Sequence, residues 1–148
     1  MEMKKIMVFF FAIFLLAGCS LVEEVSNGVN YVAEATEFVE EVSIFTQEIP
    51  TLTEQAVTDE QARMELETKL VEMKEDMEEF NSLQAPDMAA DVHQQIVEYN
   101  NAALKNIDSY LEMVENGTLD ITAIEENELI QSLQEISKTL DLLREFGQ

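Results

Sequence analysis

Apolar residues recur at spacings of three and four from Cys19 to the end of the chain, and no strand-length stretch alternates with period two. That pattern predicts an all-helical protein. In a first helix over about 21–48, Val22, Val25, Val29, Val32 and Val39 form one seam, and Tyr31, Phe38 and Phe45 lie seven apart beside it. Ala35 and Val42 stand between the two. At 100° per residue the seams merge into an apolar arc of roughly 200°, wider than a surface helix needs. Pro50 is expected to end this helix. Thr51-x-x-Glu54 and Thr58-x-x-Gln61 are capping-box patterns, so a second helix is placed at about 54–82. Its seam is Ala62, Leu66, Leu70, Met73, Met77 and Phe80, the alternating four-three spacing of bundle helices.

Asp87 is positioned to cap a third helix over about 87–115, carrying Val92, Ile96, Tyr99, Ala103, Ile107, Tyr110 and Val114. Asn116-Gly117 supplies its stop signal. Thr122-x-x-Glu125 opens a fourth, at about 122–146, with Leu129, Leu133, Ile136, Leu140 and Leu143 in register. Short connections make neighbours antiparallel. The expected architecture is an up-down-up-down antiparallel four-helix bundle; the alternative is an N-terminal helical stalk over a three-helix bundle.

The first 19 residues are built differently. Lys4 and Lys5 precede an unbroken apolar run from Ile6 to Ala17, followed by Gly18 and Cys19. The run is well short of the ~20 residues that span a bilayer as a helix and has the length of a signal-peptide core. Met3-Lys4-Lys5 reads as a natural start as well as Met1 does. Leu16-Ala17-Gly18-Cys19 resembles the lipobox of bacterial prolipoproteins. The resemblance implies cleavage after Gly18 and a diacylglycerol on Cys19, with residues 1–18 a signal peptide and 19–148 a lipid-anchored acidic domain. Two acyl chains, at ~0.8 kcal/mol per buried CH₂, hold a protein on a membrane stably where one does not.

Gly18-Cys19-Ser20-Leu21-Val22-Glu23-Glu24-Val25, then Asn30-Tyr31-Val32-x-Glu34-Ala35-Thr36, then Asp91-Val-His-Gln-Gln-Ile-Val-Glu-Tyr-Asn100 resemble a group of small, uncharacterised lipoproteins from Bacillus-type bacteria. The resemblance runs through most of the mature chain. It implies the extracytoplasmic face of a Gram-positive plasma membrane and supplies no catalytic residue.

Charge narrows the partners. Acidic residues outnumber basic ones 31 to 8, a formal charge of −23, and removing the signal peptide makes the chain one charge more negative. Such a surface repels nucleic acid and anionic headgroups. Chemistry is scarce too. A single cysteine allows no internal disulfide, and once acylated it offers no thiol. His93, the one imidazole, has Ala89, Ala90, Ile96 and Val97 as its helical neighbours, and reads as a half-buried structural residue. There is no Glu-x-x-His pair, no Gly-x-Ser-x-Gly elbow and no glycine-rich phosphate loop. No enzyme activity and no cofactor are expected. Met73 and Met77 fall in the core seam, so packing rather than soft-metal ligation accounts for them.

Two surface features carry what remains. Glu72, Glu75, Asp76, Glu78 and Glu79 crowd like charges at i,i+4 near a helix C-terminus, where the macrodipole also disfavours anions. A divalent cation would relieve both penalties, and Glu72, Glu75, Asp76 and Glu79 are the weak candidate ligands. One helix cannot wrap an ion that wants six to eight oxygens, so a solvated face is the simpler account. Val57, Met64 and Val71 lie seven apart, off the main seam of the second helix, with Glu60, Glu67, Glu75 and Glu78 beside them. That row suits docking by a basic partner helix. Val97, Leu104 and Leu111 make a similar row on the third helix; either row would equally serve as a second packing stripe inside a bundle. The sequence thus points to a lipid-anchored, non-enzymatic interaction or scaffold module for an envelope protein partner, with a weak cation or small cationic ligand binder as the alternative.

Overall fold

A computed structural model describes residues 18–119 and 128–146. These form α1 (Gly18–Ala56), α2 (Glu60–Ser82), a 3-10 turn (Asp87–Ala89), α3 (Ala90–Asn116), α4 (Glu128–Lys138) and α5 (Leu140–Phe146). The fold is all-α. Helix α1 packs on α2, α2 on α3, α3 on α4, and α4 and α5 return to α1, so the long helices close around one core. Helix α1 belongs to that core from Tyr31 onward and is not a detached stalk. Glu48 meets Lys69 and Phe38 meets Phe80, so α1 and α2 run antiparallel. Lys74 meets Asp108 and Asn81 meets Asn100, which makes α2 and α3 antiparallel as well.

Pro50 does not end α1. The helix runs on through it to Ala56, 39 residues in all. Gly28, Ala35, Val42, Ile49 and Ala56 fall seven apart and are all buried, with Tyr31, Phe38, Phe45 and Leu52 in the adjoining row. Ending the helix at Glu48 would forfeit Ile49 and Leu52, each worth about 1.5–3 kcal/mol buried. That matches or exceeds the ~3 kcal/mol a helix-interior proline costs. Pro50 is itself exposed, so the carbonyl it deprives of a donor is on the hydrated side. Val29, expected in the seam, is 65 % exposed. It stands one residue, and so 100°, beyond the buried Gly28 row, in line with Pro50.

The second helix starts at Glu60, later than expected, because Asp59 caps it. Its Oδ1 accepts the backbone N–H groups of Gln61 (2.7 Å) and Ala62 (3.0 Å), which neither threonine box does. Ala62, Leu66, Leu70, Met73, Met77 and Phe80 are all buried. Asp87 caps nothing with its side chain; it opens the 3-10 turn, and α3 follows from Ala90. Gly117 ends α3 at φ 65°, a left-handed conformation that lets its N–H return to the carbonyls of Met113 and Val114. Tyr99 is only half-buried, and its neighbour Asn100 takes the fully buried place. The amide Nδ2 of Asn100 donates to Asn81 Oδ1 at 2.9 Å, while its own Oδ1 has no hydrogen-bond partner. The expected fourth helix is broken at buried Thr139, whose hydroxyl donates to the Ile136 carbonyl at 2.6 Å. Helix α5 then reaches α1 through Arg144 and Glu40 at 3.0 Å. Thr122 and Glu125 lie outside the described residues.

Candidate interaction surfaces

The two apolar rows separate in the structure. Val97, Leu104 and Leu111 of α3 are half-buried against the core, so they are packing residues and not a docking strip. Val57, Met64 and Val71 stay outside, at 37, 58 and 39 % exposure. At 100° per residue Met64 and Val71 lie on the far side of α2 from the buried Leu66–Met73 seam, and no neighbour among the described residues covers them. Met64 and Val71 are on α2, whereas Val57 is in the turn that precedes it. Glu60, Glu67, Glu75 and Glu78 beside the row are exposed. The cations of α2 near the row are engaged elsewhere: Arg63 donates to the Ala56 carbonyl, Lys69 pairs with Glu48, and Lys74 pairs with Asp108 at 2.6 Å, which holds its ammonium above the usual lysine range.

A second surface opens where α1 and α2 meet. Glu34, Glu37 and Glu41 face Asp76 and Glu79 across a cleft of about 270 Å³. Its floor is the stacked pair Phe38 and Phe80, ring centroids 4.5 Å apart. Along the sequence Asp76 and Glu79 group with Glu72 and Glu75 on one helix, apart from the three glutamates of α1. Nothing local signals that pairing, since it arises only when the helices dock. Burial raises the Asp76 carboxyl, and Glu79, Glu72 and Glu75 raise it further. Burial also raises Glu41, followed by repulsion from Asp76 and Glu37. The proposed ligand set Glu72, Glu75, Asp76 and Glu79 does not converge; among the described residues no three acidic, histidine or cysteine side chains are grouped to hold a metal ion. The four share one face of α2 but are strung along about two turns of it, so they cannot surround an ion.

His93 is half-buried beside the same aromatic floor. Its ring lies 5.0 Å from Phe80, and its Nδ1 is hydrogen-bonded to the Tyr31 hydroxyl at 3.0 Å. Burial lowers the imidazole below its ordinary range and pushes the tyrosine up to about 12. The group therefore joins α1, α2 and α3 as neutral polar packing. Among the described residues no carboxylate is hydrogen-bonded to the imidazole.

Of the lipobox, Leu16 and Ala17 lie outside the described residues. Gly18 and Cys19 begin α1, and their side-chain surroundings are likewise outside them. Among the described residues no helix is long and apolar enough to cross a membrane.

No solved structure matches the chain. An uncharacterised lipoprotein of Bacillus subtilis (strain 168), YybP, is 32 % identical over 131 residues, covering 88 % of each protein. Residues 31–146, which include the core, the outward row and the acidic cleft, match the model of a family of unknown function, DUF6376, and the chain belongs to that family.

Proposed function

We propose that this chain is a lipoprotein acylated at Cys19 and held at the extracytoplasmic face of the plasma membrane. There its helical domain serves as a non-enzymatic docking module for another envelope protein. The lipobox Leu16-Ala17-Gly18-Cys19 and the Bacillus relative's description as a lipoprotein support the anchor. The outward row Val57, Met64 and Val71 carries the docking role, because a position opposite the core has no packing reason to be apolar.

Replacing Cys19→Ser should leave the precursor uncleaved and release it from the lipid-modified fraction; a variant still processed and acylated refutes the anchor. A photo-crosslinker at position 68, one turn from Met64 on the same helix, used on native membranes, should capture one partner in fixed stoichiometry. Met64→Glu should abolish that capture without lowering the protein's melting temperature. Failure to capture anything, or capture indifferent to Met64→Glu, removes the docking role.

The acidic cleft favours a second reading, a binder of small organic cations. Five carboxylates around one cleft suit an ammonium or guanidinium group, which gains from their summed charge. Calorimetry with spermidine decides it: binding lost in Asp76→Asn supports the cleft, and heats unchanged by that substitution exclude it.

A further inference from the structure

We infer that the outward row of α2 accepts a basic amphipathic helix from another protein, and not a second copy of this chain; this rests on the docking role proposed above. Met64 and Val71 are ~11 Å apart along α2 at 1.5 Å per residue, and Val57 in the preceding turn lengthens the row toward the footprint of about two heptads of a partner. The residues three places beyond Val57, Met64 and Val71 are Glu60, Glu67 and Lys74. A helix lying along the row therefore has one flank against Glu60 and Glu67. That flank ends at Lys74, whose ammonium is already committed to Asp108. Glu75 and Glu78 close the far end of the row. None of Glu60, Glu67, Glu75 and Glu78 has an ion-pair partner among the described residues, and only Glu78 feels a nearby cation, Lys74. Covering the row with an apolar or acidic helix would strip water from these carboxylates and return nothing. A helix with leucine-like residues seven apart and Lys or Arg beside them satisfies both the apolar row and the charged flank. A second copy of this chain would set Glu60, Glu67, Glu75 and Glu78 against their own kind, with Arg63 tied to the Ala56 carbonyl and Lys74 tied to Asp108, so net repulsion opposes self-pairing through the row.

The test uses the full-length protein in phosphatidylcholine nanodiscs, with empty nanodiscs as the blank. The probes are two synthetic helices of about 18 residues. Both carry Leu at seven-residue spacing, one with Lys and Arg on its flanks and one with Gln at those places. Fluorescence anisotropy should show the basic peptide bound at least about tenfold more tightly than the Gln peptide, with affinity falling as salt rises. Met64→Glu, and separately Glu60→Gln with Glu67→Gln, should each weaken the basic peptide about tenfold. Glu98→Gln with Glu112→Gln, an equal charge change on α3, should cost less than about twofold. Equal losses from the α2 and α3 pairs would reduce the binding to diffuse attraction by net charge and overturn the inference. Equal affinity for both peptides, still abolished by Met64→Glu, would overturn the basic partner while leaving the docking role standing. A sedimenting dimer dissolved by Met64→Glu would overturn it in favour of self-association. Indifference of both peptide binding and membrane crosslinking to Met64→Glu would end the inference and the docking role together.

Discussion

Two apolar rows of the same period meet opposite fates. On α3, Val97, Leu104 and Leu111 are half-buried against the core; on α2 and the turn before it, Met64, Val71 and Val57 face water. Period alone does not separate them. What differs is the angle each row makes with the main seam of its own helix. The α3 row lies close enough to its seam to reach a neighbouring helix, whereas the α2 row lies opposite its seam, where no described element of the bundle passes. A second apolar stripe therefore reports packing or surface according to its angular offset, and only the surface case calls for a partner.

Substitutions should rank accordingly. A seam residue sets the upper end: Leu70→Ala, at a fully buried position, should lower unfolding free energy by about 2–5 kcal/mol in denaturant titration. Leu104→Glu buries part of a charge in the α3 row and should cost about 1–3 kcal/mol. If it costs nothing, the α3 row is not packing and the contrast fails. Met64→Glu, on the α2 row, should stay within about 0.5 kcal/mol of the parent. A loss of several kcal/mol there would make the row part of the core.

The inner flank of α2, toward α1, sharpens the contrast through pH, with the smallest effects. His93 has its folded pKa lowered from 6.5, so the stability linked to its neutral form is present above that value and is lost as pH falls through the folded pKa. Asp76 and Glu41 have raised folded pKa values, so their contribution has the opposite sign. It is fully present below the ordinary carboxylate range and is lost as pH rises through the folded values. The melting temperature should therefore dip slightly as pH falls below neutrality and recover toward the carboxylate range. His93→Gln should remove the dip, and Asp76→Asn should blunt the recovery. A monotonic profile unchanged by either substitution would show that these groups are solvated in the same way folded and unfolded.

Much of this was readable from the chain before folding. All six seam residues of α2 are buried, and so are Tyr31, Phe38 and Phe45, because a helix that packs along its length repeats every seven residues. The errors have physical causes. Pro50 was overruled by the apolar residues that follow it, a tertiary gain that local propensity does not contain. Val29 was assigned by residue type, yet the position facing the core is Gly28. Asn100 was passed over because a buried amide has no periodic signature. The outward row could be seen in advance, since its offset from the seam is a property of one helix. The acidic cleft could not: it exists only where Glu34, Glu37 and Glu41 of one helix are brought to Asp76 and Glu79 of another.

The Asn81–Asn100 contact has a consequence for how the chain avoids folding wrongly. Heptad seams are self-similar, so sliding α3 one heptad along α2 would preserve most apolar contacts. It would also carry Asn100 away from Asn81 and bring Ile107 or His93 opposite it, leaving a buried amide with no partner at all. The native register leaves one oxygen of Asn100 unsatisfied; a slipped one would leave the whole group so. The pair thus serves as an alignment key, trading a little native stability for a large penalty on every other alignment of the two helices.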